Sequence, residues 1–281
     1  MDLHVDHVTV AGTDLDRLTD AFTEAGLEVA YGGHHSNDIT HMSLVGFPDG
    51  SYIELVSTIE PDMDSPWWDE PIHGDGGPCA WAIAVEDIEA TTAELERRGA
   101  DVEGPSAYRR VREDGTVVEW DLTFLGVGEP GASLPFLISD RTPRERRVRP
   151  TGDPTSSSIV GVETVVLGVD DLEAAIEEFE TVFGLSAPTT RELTDPSADV
   201  AVFPDQPVAL ARPRGEGWFA DRLEAFGPLP VAYLLGRERG TEPRFDDRTA
   251  GFLGDRRIEW LPVTEPVGHR YLGLLEVTRE G

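Results

Sequence analysis

The 281-residue chain has no lysine: Lys and Arg together number 23 and every one is arginine, set against 54 Asp and Glu, for a formal net charge of −31. So acidic a surface repels nucleic acid and anionic membranes, and neither is expected as a partner. Cysteine is nearly absent as well. Cys79 stands alone, which excludes an internal disulfide framework and fits a reducing compartment. No apolar run is long enough to span a bilayer, and the opening Met1-Asp2-Leu3-His4-Val5-Asp6 is acidic where a secretory leader would be basic. The expectation is a soluble, cytoplasmic protein. Also missing are a P-loop, a dinucleotide fingerprint, a nucleophile elbow and zinc-ribbon spacing.

What remains is enough to fold. A hydrophobic content of 39% supplies packed cores and argues against disorder. Self-repulsion of the carboxylates is tolerable where salt screens it, since the Debye length falls to about 3 Å at molar ionic strength. Lysine-free acidity therefore points to an intracellular protein of a salt-loaded cell, such as a halophilic archaeon. The length suits two domains of roughly 140 residues. They divide as 1–140 and 158–281 around a joint at 141–157 that carries Arg141, Arg144, Arg146, Arg147 and Arg149. This joint is either a solvated linker or an arginine strap that docks on carboxylates.

A unit repeats within each half. His7-Val8-Thr9-Val10 reads as a strand. Thr13 or Asp14 caps a helix with Leu15, Leu18, Phe22 and Ala25 on one face, and Gly26 stops it. Strands follow through Phe47-Pro48-Asp49-Gly50 to Glu54-Leu55. The pattern returns at Trp81 to Val85 with Asp87 and Gly99, and again at Val162 to Val166 with Asp171 and Gly184. There the ending Phe203-Pro204-Asp205-Gln206 aligns with Phe47-Pro48-Asp49-Gly50 without a gap. A fourth copy from Val231 is degenerate, because Gly240, Pro243 and Gly251 interrupt any long helix. The modules span about 1–60, 78–140, 158–212 and 228–281. Alternation along a strand sends His7 and Thr9 to the side away from the helix, together with Tyr52 and Glu54. An imidazole and a carboxylate are thus expected in one concavity.

Asp6-His7-Val8, Gly32-Gly33-x-His35, Thr40 fourteen residues before Glu54, Asp49-Gly50-Ser51-Tyr52-Ile53-Glu54-Leu55, and Arg109 to Trp120 leading into Pro135-Phe136 carry a resemblance to the glyoxalase-like branch of the vicinal oxygen chelate superfamily. The resemblance is good over residues 1–140 and weak beyond. It implies an α+β fold of βαβββ modules paired into two open barrels, each with a cup. It also implies a divalent metal held by a first-strand histidine and a last-strand glutamate from both modules of a pair. Here His7 and Glu54 are the candidate metal ligands, and Glu54 is the candidate catalytic residue. The second-module matches are Trp81 or Ala80, and Leu137. In the C-terminal pair Glu163 and Leu210 stand in these places, and no metal is expected there.

Catalytic zinc wants about three protein ligands, and octahedral Mn, Fe or Ni sites want comparable numbers. Two reach that count only if His34, His35 or His41 joins. Met42 and Ile39 replace the asparagine and glycine usual in relatives. His34, His35, Thr40, Tyr52, Trp81, Arg109, Trp120 and Phe136 are the candidate substrate-binding residues. Arg109 and Arg110 either clamp an anion or sit solvated on a sheet rim. Trp67-Trp68 is either a lid or packing between modules. Two function classes follow: a metal-dependent lyase, isomerase or dioxygenase, and a non-catalytic protein that binds or sequesters a small molecule. Glyoxalase I activity is not expected from half a ligand set. The C-terminal pair either closes the first cup or mediates a homodimer.

Overall fold

β1 (Val5–Ala11) buries Val8 and Val10 beneath α1 (Leu15–Glu24). The helix begins where the Asp14 carboxylate accepts a hydrogen bond from the Arg17 amide at 3.0 Å. It ends before Gly26, whose φ of +80° lies in the region glycine favours. β2 (Ala30–His34), β3 (Thr40–Gly46) and β4 (Tyr52–Thr58) complete the first module. A short α2 (Asp69–His73) leads to the second: β5 (Gly77–Ala84), α3 (Ile88–Arg97), β6 (Val102–Val111), β7 (Val117–Leu125) and β8 (Phe136–Asp140). The computed structural model describes residues 1–112, 114–152, 158–194, 196–239, 250–253 and 255–278.

The two modules share one eight-stranded sheet of order β2-β3-β4-β1-β5-β8-β7-β6. β1 and β5 run antiparallel at its centre, while β4 and β8 each lie parallel to the first strand of their own module. The second half repeats the plan. β9 (Ile159–Gly168), α4 (Leu172–Phe183), β10 (Thr189–Thr194), β11 (Ser197–Val202) and β12 (Val208–Pro213) form the third module, followed by α5 (Trp218–Phe226). β13 (Leu229–Glu238), β14 (Ala250–Leu253), β15 (Arg256–Trp260) and β16 (Leu272–Val277) form the fourth. Their sheet order, β10-β11-β12-β9-β13-β16-β15-β14, matches the first. The fold is therefore α+β, built of paired βαβββ-type modules on two curled sheets. The eroded fourth unit keeps its four strands. Of its expected helix breakers Gly251 lies on β14, and Gly240 and Pro243 lie outside the described residues.

One apolar core on the helix side runs through both halves, from Val8, Ile53 and Leu55 to Leu167, Leu210 and Tyr233. Polar contacts cross the same boundary. The Tyr233 hydroxyl lies 2.7 Å from the Thr9 carbonyl and 2.9 Å from that of Ala80. The buried Arg222 guanidinium donates to the carbonyls of Gly76, Pro78 and Pro230, and burial pulls its pKa down to about 10. The bonds from Tyr233 to Thr9 and Ala80 and from Arg222 to Gly76 and Pro78 would be lost if the halves separated.

The segment after β8 turns back onto the first sheet as a strap. Thr151 donates its amide to Gly46 O at 3.0 Å, and Gly46 donates to Thr151 Oγ1 at 3.1 Å. A Cβ on Gly46 would fall 2.1 Å from the Arg149 carbonyl oxygen, so only glycine lets the strap approach this closely. A fragment ending at residue 152 should expose the shared core and aggregate during size-exclusion chromatography; a monodisperse, folded fragment would show that the first half stands without the second.

Candidate functional site

The site begins with a break in strand alternation. β1 pairs Val5 with Ile83 and then His7 with Ala82, so Asp6 is an extra residue, a bulge that re-aims side chains. Asp6 consequently lies beside the His7 ring, with its Oδ1 2.7 Å from Nδ1. The strap supplies the countercharge. Arg147 donates to both Asp6 oxygens at 2.8 and 2.9 Å and to Asp140 at 2.7 and 2.8 Å, and Arg144 also reaches Asp6. Burial alone would raise the fully buried Asp6 carboxyl, but the Arg147 charge and hydrogen bonds override it and hold the pKa well below the usual carboxylate range. The same Arg147 donates to Tyr52 Oη at 3.0 Å, and the Tyr52 ring stacks on His7 with centroids 4.6 Å apart.

Glu54 stands opposite Thr9 on β4, on the face shared by His7 and Tyr52. Only 7% of it is exposed. Burial pushes its carboxyl up, but the His35 hydrogen bond together with the charges of His35, His7 and Arg110 outweighs it, for a net lowering. His35 Nε2 lies 3.3 Å from Glu54 Oε1, and Nδ1 lies 2.7 Å from Thr40 Oγ1. A carboxylate cannot donate, so Nε2 carries the hydrogen and Nδ1 accepts from the Thr40 hydroxyl.

These groups form the polar end of a cavity of about 250 Å³ whose other walls are Met42, Leu44, Trp67, Trp68, Tyr108, Trp120, Leu122, Phe136 and Ile138. Trp67 packs on Phe124 and Tyr108 at 5.2 and 5.8 Å. Trp68 holds a φ of +58°, unusual for a bulky residue. Hydrogen bonds from its amide to Glu129 at 2.6 Å and from its indole to the Pro130 carbonyl at 2.8 Å pin it there. The tryptophan pair thus both packs between modules and borders the cavity.

His7, His35, Thr40, Tyr52, Glu54, Trp120 and Phe136 meet in this cup, and three expected members do not. Trp81 pairs with Val8 in register and so faces the helix side, where it is fully buried 6.5 Å from Phe179. Arg109 points outward to Glu119 at 3.7 Å, because alternation along β6 turns Tyr108 and Arg110 inward instead. His34 is exposed on the edge strand β2, its ring against His41. The module counterparts also shift. Since His7 pairs with Tyr52 as Ala82 pairs with Phe136, and Thr9 with Glu54 as Ala84 with Ile138, the second-module equivalents are Ala82 and Ile138 rather than Trp81 and Leu137. In the second sheet the gapless alignment fails by one residue. Leu210 lies in the shared core, while Ala209 and Ala211 face a concave side packed with Val166, Val200 and Phe219. Glu163 pairs with Arg256 at 2.8 Å.

The donor set does not fit a divalent metal. His7 has the supporting carboxylate on its far nitrogen that orients metal-bound histidines. The rest is wanting: Ala82 and Ile138 carry no donor atoms, and Glu54 is engaged by His35. His41, the remaining candidate, lies on the opposite face near Asp16 of α1, its pKa lowered by burial and by His34. Among the described residues no group of three His, Cys, Asp or Glu side chains is placed to hold an ion.

Sequence reasoning missed Asp6, Arg147, Tyr108 and Asn37 as parts of the site. The doublet Asp6-His7 at a strand start was a usable sign of the bulge, and the run of arginines after 140 a sign of the strap. Nothing local marked Tyr108 or Asn37.

Residues 5–183 match the model of a family described as a glyoxalase-like domain. No curated protein matches the sequence. Among solved structures, a hypothetical protein from Staphylococcus aureus is similar over 99% of this chain and 100% of its own, with a TM-score of 0.63 and 17% identity. A mutant of 4-hydroxymandelate synthase from Streptomyces coelicolor aligns over 100% of this chain and 93% of its own, with a TM-score of 0.59 and 13% identity. A fusion of a xylose isomerase-like TIM barrel with 4-hydroxyphenylpyruvate dioxygenase aligns over 99% of this chain and 49% of its own, with a TM-score of 0.55 and 13% identity. At these identities the likeness is one of fold.

Two outcomes follow. Because the folded Asp6 carboxyl is depressed, its stabilisation is complete above the unfolded value near 4 and is lost as pH falls toward the folded one. Asp6→Asn should lose about 1–3 kcal/mol at neutral pH, the loss of charge-assisted hydrogen bonds with Asp140 still pairing Arg147, and should flatten the acid limb of denaturant-measured stability; an unchanged limb would remove Asp6 as its source. Metal analysis of dialysed protein should find well under one equivalent of Mn, Fe, Ni or Zn, equal in wild type and Glu54→Gln. Stoichiometric metal lost on that substitution would overturn the reading of the donor set.

Proposed function

The chain belongs to the glyoxalase-like domain family, and on that premise we propose that its N-terminal cup binds a small, largely apolar aromatic molecule. The carrying observation is the wall of the cavity: six aromatic side chains, Tyr52, Trp67, Trp68, Tyr108, Trp120 and Phe136, beside a small set of polar groups that includes His7, His35, Thr40 and Glu54. Pockets of this make-up take up flat apolar bodies and use their few polar groups for orientation. Tyr108 and Trp120 stack with centroids 6.3 Å apart and offer a continuous π surface. Glu54, hydrogen-bonded by His35 and so by Thr40, receives the donor edge of the ligand.

The second half serves this reading as the structural partner that completes the core, with its own concave side packed by apolar side chains. Lysine-free acidity supports a salt-loaded cytoplasm as the setting. Among the described residues no helix is long and apolar enough to cross a membrane.

A panel of neutral aromatic compounds screened by thermal shift in molar potassium chloride should contain members that raise Tm by several degrees, by mass action on the folded state. Ile138→Trp, which fills the cup, should abolish the response while leaving the far-ultraviolet circular dichroism intact. A response that survives this substitution, or a panel without any binder, would refute the cup as the binding site.

A further inference from the structure

Among the described residues, Arg110 is the cation lining the cup for which no carboxylate forms an ion pair. It lines the cavity with 6% of its surface exposed. Its nearest contacts are the Gly32 carbonyl at 3.1 Å, the Arg147 carbonyl at 3.5 Å and the Met42 sulfur at 3.5 Å. A guanidinium has five N–H donors, so two remain beyond these three contacts. Among the described residues no Asp or Glu forms an ion pair with Arg110, whereas Arg144 and Arg147 each engage Asp6 and Asp140. Burial accordingly lowers the Arg110 pKa; Glu54, Tyr52, Arg112 and Arg147 are the ionisable groups whose charges reach it.

Position as well as charge is fixed. β2 and β6 are the two free edges of the first sheet, and the bond from Arg110 on β6 to Gly32 on β2 closes the seam between them. The guanidinium is thereby held in place before a ligand arrives. A buried cation lacking a counterion is costly, and an anion meeting its fork relieves that cost with charge-assisted hydrogen bonds.

We infer that Arg110 anchors an oxyanion on the bound molecule, so that the ligands of this cup are aromatic weak acids, phenols or enols, held as their conjugate bases. The inference rests on the reading of the cup as an aromatic-binding site. Weak acids are favoured over permanent anions because Glu54, buried in the same cavity and little screened by salt there, opposes the entry of a charged molecule but admits a neutral one. On binding, the ligand O–H bond breaks, its electron pair stays on the oxygen facing Arg110, and the proton leaves to the buffer. Nothing is oxidised or reduced.

The test uses 4-nitrophenol and the enol 1-phenylbutane-1,3-dione, whose anions absorb apart from their acids, with 4-nitroanisole as the non-ionising control. All are titrated into full-length protein in molar potassium chloride with a chelator present. Wild type should bind all three by tryptophan quenching and lower the ionisation midpoint of at least one acid by about one pH unit, a tenfold preference for the anion; the acid with the larger shift names the ligand type. Arg110→Met should abolish the shift while binding 4-nitroanisole within about twofold of wild type, a control that also reports folding. Arg110→Lys should keep part of the shift. A shift that persists in Arg110→Met, or wild type that binds 4-nitroanisole without shifting either acid, overturns the anchor and leaves the cup reading standing. Arg110→Lys that binds 4-nitroanisole with no shift also counts against the anchor. Wild type that binds none of the three compounds refutes the cup reading, and the anchor with it.

Discussion

The ion pair between Asp6 and Arg147 is the contact through which the strap, the first strand and the cup are tied together. It joins residues 141 positions apart and orients His7 through its Nδ1, while Arg147 also donates from Nη1 to Tyr52 and from Nε and Nη2 to Asp140. A buried pair of this kind gives little net stability against a well-packed apolar substitute, yet breaking it strands a charge. Its contribution is therefore to specificity: only one arrangement of strap and sheet satisfies all four groups. The glycine at 46 belongs to the same constraint, since the strap cannot reach Asp6 without passing close over the end of β3.

Much of the fold was legible because periodicity is a local property. The capping Asp14, Asp87 and Asp171 and the stops at Gly26, Gly99 and Gly184 recur in step with each helix, so three modules declare themselves before any contact is considered. The site was less so. His7, Glu54, His35, Thr40, Tyr52, Trp120 and Phe136 came together as expected, because strand parity decides which face they occupy. Trp81, Arg109 and His34 did not, and each error is one of parity: a bulge or a frame of one residue moves a side chain from the cup to the other face. The ending at Phe203 failed for the same reason. The arginine run suggested a strap on carboxylates, but that Arg147 meets Asp6 was beyond local rules, because their meeting depends on the path of a segment that has no periodicity.

The two modules of the first sheet have diverged in opposite directions. The first module supplies the polar groups, His7, Glu54, His35 and Thr40. The second supplies rings and aliphatic wall, with Ala82 and Ile138 at the positions symmetric to the histidine and glutamate. The result is a cavity with a polar wall and an apolar one, in which Arg110, the arginine of the second module that lines it, reaches back across the seam to the first. Duplication thus provided two equivalent walls, and loss of donors from one of them changed what the cup can hold.

The core shared by the two sheets has a consequence for the chain as a whole. Each sheet keeps an apolar cluster on its concave side, but the core beneath the helices is common to both, so loosening one sheet weakens the support of the other. The cooperative unit is then the entire polypeptide, and the mutational load that either sheet can bear is limited by a common margin. A concave face without a ligand can still be kept under selection, simply because the half that binds is held upright by it.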